Sequence, residues 1–451
     1  MFPTNFLWGA STAAYQIEGD RAGRGDTVWD EYCSRPGRVF DGHNGDVACD
    51  HVNRLDEDLD IMASIGIQAY RFSFAWARVM PTGEGQVNAA GLAFYDRLID
   101  GLLERNIRPV ATLFHWDMPL ELFRKGGWLN RDIANAFAGY TRVLADRYSD
   151  RLQHWLTLNE PQVFINEGHL LATHAPGLKL SMQEALLASH HALLSHGRAV
   201  SVIREHAQLP PTIGFAPCVQ LKSPVDESEA TVNAARKATM GNAETHLWSN
   251  TWFADPVILS SYPEDGLSMY GSRMPKNFEA ALDEISAPID VLGLNVYFGG
   301  LVRAGNDGEA VEVDRSVGHT QTAFRWPVDP GALYWGPRLM YERYKTPILI
   351  TENGLSNIDF PAADGSVRDP QRIEFVRAYL LELARAIGDG TDVVGYMHWS
   401  LLDNFEWAEG YKQRFGLVYV DYATGKRTPK ASSEWYSRLI KGNGAGLREL
   451  Q

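Results

Sequence analysis

The sequence has little cysteine, a deficit of positive charge and no long uninterrupted apolar run. Its three cysteines, Cys33, Cys49 and Cys218, are scattered and fit neither zinc nor redox spacing, so we expect reduced structural thiols. The formal net charge of -14 opposes the positive field that nucleic acid or anionic lipid requires. No stretch of about eighteen apolar residues and no secretory-type N-terminus is present, so we expect a cytoplasmic protein.

The chain also lacks low-complexity tracts and an evident interdomain linker. With 451 residues, of which 45% are hydrophobic and 22% charged, it can bury a large core. α/β barrels with long loops reach this length as one domain. We therefore predict a single domain over residues 1–451, in which the stretches 223–290 and 299–346 are elaborated loops.

Short, largely apolar runs predict eight strands that are buried on both faces. They cover residues 6–10, 69–76, 109–116, 154–160, 212–219, 291–298, 347–353 and 393–401. Segments with helical patterns between them include 58–66, 91–106, 132–148, 182–203 and 372–387. The acidic run LDEDLD, residues 55–60, is interpreted as the solvated face of a helix. No Gly-rich phosphate turn follows the first strand, so the alternation favours a closed (β/α)8 TIM barrel with elaborated βα loops over an open doubly wound sheet.

Most of the predicted strands end on polar or aromatic side chains. These are Trp76, His115, Trp116, Asn159, Glu160, Asn295, Tyr297, Glu352, Asn353, His398 and Trp399. In a barrel all carboxyl ends of the strands gather on one face, where the active sites of this fold lie. The repeated endings therefore predict one pocket.

Glu160 and Glu352 end the fourth and seventh predicted strands and are expected to face each other across that pocket. Paired carboxyl groups suggest glycosidic chemistry, with retention at a separation of about 5 to 5.5 Å and inversion at about 6.5 to 9.5 Å. The acid must hold its proton near neutral pH while a nucleophile must be ionised. Arg71, within the second strand, is a plausible partner that keeps one carboxylate charged.

Two pentapeptides, TLNEP with Glu160 and ITENG with Glu352, resemble the signatures of glycoside hydrolase family 1, the β-glucosidase family. The resemblance continues in order through FPTNFLWGASTAAYQIEG, AYRFSFAWARVMP, FHWDMP, LLDNFEWAEGYKQRFGLVYVDY and RTPKASSEWY, and so covers nearly the whole chain. It implies a single barrel and a retaining double displacement on β-linked sugars, without metal or organic cofactor.

The resemblance also implies roles for individual residues. Glu160 corresponds to the general acid/base and Glu352 to the nucleophile, with Arg71 and Tyr297 in contact with the nucleophile and Asn295 beside them. Residues matching positions that bind the non-reducing sugar are Gln16, His115, Trp116, Asn159, Glu406 and Trp407, with Trp399 as the platform beneath the ring and Trp326 on the leaving-group side. Many family members carry Trp where this chain has Gln162, which leaves the leaving-group preference open.

The expected function is hydrolysis of terminal non-reducing β-D-glucosyl residues from β-glucosides and short cello-oligosaccharides. Glu406 favours unphosphorylated sugar, because a carboxylate accepts from hydroxyl groups but repels phosphate. The alternatives are a broad β-galactosidase or β-fucosidase, a 6-phospho-β-glucosidase, or a non-catalytic sugar-binding protein. A metal-dependent hydrolase using the histidines of SHHALLSH is disfavoured, because no HExxH-like zinc site is completed. The expected partner is a small glycoside, and homo-oligomerisation stays open.

Overall fold

The computed structural model describes residues 2–448, and within this range eight parallel strands close into a barrel. In chain order they are β1 (Leu7–Ser11), β2 (Ala69–Ser73), β3 (Arg108–Phe114), β4 (His154–Asn159), β5 (Thr212–Ala216), β6 (Val291–Asn295), β7 (Ile348–Asn353) and β8 (Val393–Trp399). Each strand pairs in parallel with the next, and β8 pairs with β1. The predicted fold class is confirmed.

Helices occupy the connections between the strands. The α-helices of the described residues are Ala14–Ile17, Val28–Ser34, Leu55–Ile65, Trp76–Val79, Ala89–Glu104, Leu120–Arg124, Ile133–Tyr148, Pro161–Ile165, Met182–His206, Glu229–Thr239, Thr251–Leu259, Glu264–Tyr270, Leu282–Ile285, Ala332–Tyr344, Pro370–Gly388 and Ala431–Lys441. The helix after β4 begins where Ser181 and Glu184 form a capping box, with Glu184 accepting from the Ser181 amide at 2.8 Å. The five predicted helices are all present, with ends shifted by three residues or fewer.

One residue from every barrel strand contributes to an apolar layer inside the barrel. The layer consists of Leu7, Ala69, Val110, Leu156, Ala216, Val291, Leu349 and Met397. Side chains on a strand alternate between its faces, so residues two positions further along point to the same interior. At that next level three of the strands carry Arg71, Thr112 and Thr351. The barrel interior therefore changes from apolar to polar toward the carboxyl ends of the strands.

The stretches 223–290 and 299–346 are more regular than predicted, so their interpretation as loops was wrong in part. They contain the helices Thr251–Leu259 and Ala332–Tyr344, which include Pro256 and Pro337. An interior proline indicates a helix break, because it removes a donor and crowds the preceding turn. Burial of apolar side chains outweighs that signal here. Three further strands, Leu221–Pro224, Gly299–Ala304 and Ala310–Glu312, form a small sheet beside the barrel.

Two local interpretations also need correction. Strand β2 ends at Ser73, and Trp76 instead begins a short helix, where it is buried and stacks on Tyr140 at 5.0 Å, away from the pocket. The acidic run 55–60 is not wholly solvated, because Asp58 is fully buried and accepts from Arg427 Nε at 2.8 Å. Isolated carboxylates on a helix are usually exposed, and the distant arginine that pairs with this one gives no local signal in the sequence.

The cysteine prediction is confirmed, since Cys33, Cys49 and Cys218 are all free and buried. Among residues 2–448, no helix combines the length and the apolar character that crossing a bilayer would need.

Candidate active site

The carboxyl ends of the barrel strands open into a cleft of about 1020 Å³. Ten of the predicted site residues line it: His115, Trp116, Glu160, Asn295, Tyr297, Trp326, Glu352, Trp399, Glu406 and Trp407. The other three, Gln16, Arg71 and Asn159, are fully buried and hydrogen-bonded to residues of this lining. The structure therefore brings together all of the side chains that the sequence proposed for the site.

Glu160 stands where β4 turns into the helix Pro161–Ile165. Its φ of 44° lies in the left-handed region, which is uncommon for a residue with a side chain, and its amide donates to the Ala216 carbonyl at 2.8 Å. The pairing of β4 with β5 also shifts register between Leu156 and Asn159. This sharp, strained turn presents the carboxyl group to the cleft, which explains why an apolar strand ends on an amide and an acid.

Glu352 lies within β7, just after a register shift between Ile350 and Glu352 in its pairing with β6. Its two carboxyl oxygens have different partners. Arg71 donates from Nη1 to Oε1 at 2.7 Å, and the Tyr297 hydroxyl donates to Oε2 at 2.9 Å. Both bonds hold the carboxylate in one orientation at the base of the cleft.

Arg71 is itself held in place by hydrogen bonds to polar side chains in the barrel interior. Its Nη2 donates to Asn159 Oδ1 at 2.6 Å and its Nε to Thr112 Oγ1 at 3.1 Å. Asn295 Nδ2 donates to the same Asn159 oxygen at 3.1 Å, and Thr351 Oγ1 donates to Asn295 Oδ1 at 2.6 Å. Thr112 and Thr351 were not predicted as site residues, although their inward positions follow from the two-residue strand period.

The two carboxyl groups lie in unlike electrostatic environments. Burial and the charge of Glu352 raise the pKa of Glu160 well above its ordinary value, and no cation is hydrogen-bonded to it among the described residues. Burial also raises the pKa of Glu352, but Arg71, Tyr297 and Asn295 act in the opposite direction. Glu160 therefore holds its proton to higher pH than Glu352, which is the division that an acid and a nucleophile require.

Comparison with known proteins agrees with this geometry. The sequence profile of glycosyl hydrolase family 1 matches residues 1–445. The chain belongs to glycosyl hydrolase family 1. A 1,4-β-D-glucan glucohydrolase of Thermotoga neapolitana is 44% identical over 98% of this chain and 99% of its own length. Beta-glucosidase A of Acetivibrio thermocellus is 41% identical, covering 98% and 99% of the two chains. A solved β-glucosidase of Thermotoga maritima in complex with glucoimidazole superposes with a TM-score of 0.90 at 43% identity, over 98% of this chain and 99% of that one.

In this family 1 chain, two buried groups at the end of the cleft have unused hydrogen-bonding capacity. His115 Nε2 accepts from Asn159 Nδ2 at 3.1 Å, which assigns the ring proton to Nδ1, and the buried Nδ1 has no hydrogen-bond partner within residues 2–448. Burial and the charge of Arg71 lower the pKa of His115 well below its ordinary value, so the ring is neutral. Gln16 donates from Nε2 to the Phe405 carbonyl at 2.7 Å, while its Oε1 has no partner in the described part of the chain. One unpaired donor and one unpaired acceptor suit the hydroxyl groups of a sugar.

The tryptophans of the family 1 cleft offer their ring faces. Trp116 donates its indole N–H to the Asn159 carbonyl at 2.9 Å, so that donor is already used, and its ring packs on Trp407 at 4.6 Å. Trp399 and Phe415 belong to one apolar cluster, against which Trp326 packs. Trp326 also lies 5.1 Å from the ring of Tyr297, the residue that donates to Glu352 Oε2. Such apolar walls suit the faces of a pyranose.

The histidines considered for a metal site are engaged elsewhere in the family 1 fold. His196 Nδ1 lies 2.6 Å from Thr157 Oγ1, His191 Nδ1 is 2.9 Å from the Trp128 carbonyl, and His190 Nδ1 is 3.0 Å from the Tyr262 hydroxyl. Within residues 2–448, no group of three His, Cys, Asp or Glu side chains is arranged to hold a metal ion.

Proposed function

We propose that this chain is a retaining β-glucosidase that removes terminal non-reducing β-D-glucosyl residues from β-glucosides and short cello-oligosaccharides. The observation that carries the proposal is the contrast between two carboxyl groups in one cleft. Glu352 accepts from Arg71 and Tyr297, while Glu160 is buried with no cation hydrogen-bonded to it in the part of the chain that the structure describes. The names of the relatives, β-glucosidase and 1,4-β-D-glucan glucohydrolase, support the same substrate class.

In the first step of the proposed reaction, the Glu352 carboxylate attacks the anomeric carbon and forms a covalent glycosyl ester. The glycosidic bond breaks and its oxygen takes the proton of Glu160, so that the leaving group departs as an alcohol. In the second step the Glu160 carboxylate removes a proton from water, whose oxygen attacks the same carbon and releases Glu352. Two inversions give net retention. Asn159, oriented by Arg71, would bind the sugar's 2-hydroxyl group in both transition states.

The role of Glu160 predicts the alkaline limb of the pH profile. Activity of the wild type should fall as pH rises through the raised pKa of Glu160, because only the protonated form donates to the leaving group. Glu160→Gln should remove this limb and reduce kcat/KM for cellobiose by roughly 10² to 10⁴-fold. The loss should be much smaller for 2,4-dinitrophenyl β-D-glucoside, whose leaving group needs no proton. Profiles of kcat/KM between pH 4 and 10 check this, and an unchanged alkaline limb in the variant would contradict the assignment.

Glu406 is the proposed determinant against phosphorylated sugars. Burial and the nearby charge of Glu352 raise its pKa to about 8, and Gln16 Nε2 lies 3.5 Å from its Oε2. Whether protonated or ionised, this group offers no positive charge to a phosphate.

A panel of p-nitrophenyl β-glycosides tests both the function and this determinant. We expect NMR to show β-glucose as the first product from the glucoside. We expect kcat/KM to be highest for the glucoside, lower for the galactoside and fucoside, and lowest for the 6-phosphoglucoside. Glu406→Gln should raise kcat/KM for the phosphoglucoside relative to that for the glucoside, because it removes a negative charge from the pocket. A wild-type preference for the phosphorylated substrate would refute the assignment, and α-glucose as first product would refute retention.

The broader β-galactosidase or β-fucosidase activity shares this site and is measured by the same panel. A non-catalytic sugar-binding protein is disfavoured because both carboxyl groups are present and differ as catalysis requires. The single-domain organisation over residues 1–451 and the cytoplasmic location stay predictions of the sequence, and homo-oligomerisation stays open.

A further inference from the structure

The cleft continues beyond the part that one sugar would fill. Its volume of about 1020 Å³ is at the upper end of the range of about 300 to 1,000 Å³ typical of sites for drug-sized ligands, and a single hexose is smaller. The far part, which we call the distal arm, is lined by Gln220, Lys222, Thr239, Asn242, His246 and Trp248. None of these residues contributes to the network around the two catalytic carboxyl groups.

Trp248 is exceptional among the tryptophans of this chain. All thirteen lie in the described range, and Trp248 alone packs against no apolar cluster and no other ring. It is half-buried in the wall of the distal arm. A ligand can stack on an uncovered aromatic face in a cleft without displacing a packing contact within the protein.

The segment that carries Trp248 is firmly held. Its neighbours Leu247 and Ser249 are buried, and the Leu247 amide donates to Asn166 Oδ1 at 2.8 Å. At the other end of the segment, Asn242 Nδ2 donates to Asp265 Oδ1 at 2.9 Å. The backbone of this wall is therefore fixed before any ligand arrives, which lowers the entropic cost of binding.

The position of the distal arm along the cleft follows from strand spacing. Cys218 pairs with Asn295, whose side chain belongs to the catalytic network. Gln220 lies two residues further on, roughly 6 to 7 Å along an extended chain. There its amide donates to Asn250 Oδ1 at 2.9 Å, and this bond joins it to the segment of Trp248. Trp326 contacts Tyr297 and so borders the network around the two carboxyl groups, whereas the segment of Trp248 meets the barrel at Gln220, beyond the strand end.

We propose that Trp248 is the stacking platform for the second leaving-group sugar of a β-linked gluco-oligosaccharide, such as the reducing-end unit of cellotriose. Polar groups around the ring favour a sugar over an apolar aglycone. His246 Nδ1 accepts from the Trp248 amide at 3.2 Å, and burial lowers the pKa of His246, so the neutral ring carries its proton on Nε2 and can donate to a hydroxyl group. This inference rests on the proposed glucosidase function and extends it to chain length.

The test compares kcat/KM for p-nitrophenyl β-D-glucoside, cellobiose and cellotriose in the wild type, Trp248→Ala and Trp248→Phe. For Trp248→Ala we expect kcat/KM for cellotriose to fall by roughly three- to tenfold, which corresponds to the loss of one aromatic stacking contact. The other two substrates should stay within about twofold of the wild type, because they do not reach the distal arm. Trp248→Phe keeps an aromatic face and should retain most of the activity toward cellotriose.

Leu259→Ala is the matched control, since Leu259 is a 45% exposed apolar residue of the same β5–β6 connection and does not line the cleft. In this control variant, kcat/KM for all three substrates should equal that of the wild type. If Trp248→Ala lowered kcat/KM equally for cellobiose and cellotriose, or lowered it for neither, the inference would be overturned while the glucosidase assignment stayed intact. Absence of retaining hydrolysis of the aryl glucoside by the wild type would instead refute the proposed function itself.

Discussion

Glu352→Ala is expected to lower kcat for p-nitrophenyl β-D-glucoside by about 10⁵-fold or more, as loss of a covalent nucleophile does in other enzymes. Without this carboxylate no glycosyl ester forms, and Arg71 loses the partner that it holds at 2.7 Å. Because the surrounding network is buried and holds its shape, removal of the Glu352 side chain leaves a cavity on the face of the sugar that the carboxylate would have attacked. A small anion can therefore enter it and take over the attack.

Added azide should restore turnover of Glu352→Ala and give α-glucosyl azide, because a single displacement inverts the anomeric centre. Glu160→Ala should respond to azide differently. There the anion attacks the glycosyl ester in place of water, so the product should be β-glucosyl azide. NMR of the two products distinguishes the roles. Glu434→Ala, which removes an exposed carboxylate on the helix Ala431–Lys441, should behave as the wild type. The β-azide from Glu352→Ala would reverse the two assignments.

The catalytic centre was predictable from the sequence because its residues end strands. A barrel brings all strand ends to one face, so Glu160 and Glu352 open onto the same cleft in a closed arrangement of these eight runs. The residue pattern alone could not rank the pKa values of the two carboxyl groups, since that depends on which of them Arg71 contacts, and only the family resemblance predicted Glu352. In the structure Arg71 donates to Glu352 Oε1 at 2.7 Å and makes no hydrogen bond to Glu160 among the described residues.

Features that depend on contacts between distant loops were not predictable. Trp248 lies in a stretch that was interpreted as a loop, and what distinguishes it from the tryptophans of the core is its place in the cleft together with its lack of apolar packing. Buried charges give equally little local signal, as Asp58 shows. Lys430 is another example, because its sequence surroundings resemble a solvent-exposed helix start, whereas the side chain is fully buried.

Lys430 joins the segment after Glu352 to the segment that carries Glu406. Its Nζ lies 2.6 Å from Asp359 Oδ2 and 2.6 Å from Asp403 Oδ1. Two arginines complete the cluster. Arg372 pairs with Asp359 and Asp369, and Arg414 pairs with Asp403 at 2.7 Å. Three cations therefore balance three carboxylates behind the sugar pocket.

Lys430→Met is expected to lower the free energy of unfolding by about 3 to 5 kcal/mol, the usual cost of removing one partner from a buried ion pair. Methionine matches the length of the lysine stem, so the loss reports the missing charge rather than a cavity. Two cations are then left among three buried carboxylates. Chemical denaturation with a single fixed slope measures the change.

Lys125→Met provides the matched control, because Lys125 pairs with Glu84 at an exposed site where both side chains are at least half accessible. Water already screens that pair, so its removal should change stability by no more than about 0.5 kcal/mol. Similar losses in the two variants would mean that the cluster around Lys430 is penetrated by solvent. A large loss at Lys430 alone indicates that a dry, charge-balanced cluster holds the loops of Glu352 and Glu406 in register. In that case KM for the aryl glucoside should also rise in Lys430→Met at temperatures where the variant is still folded.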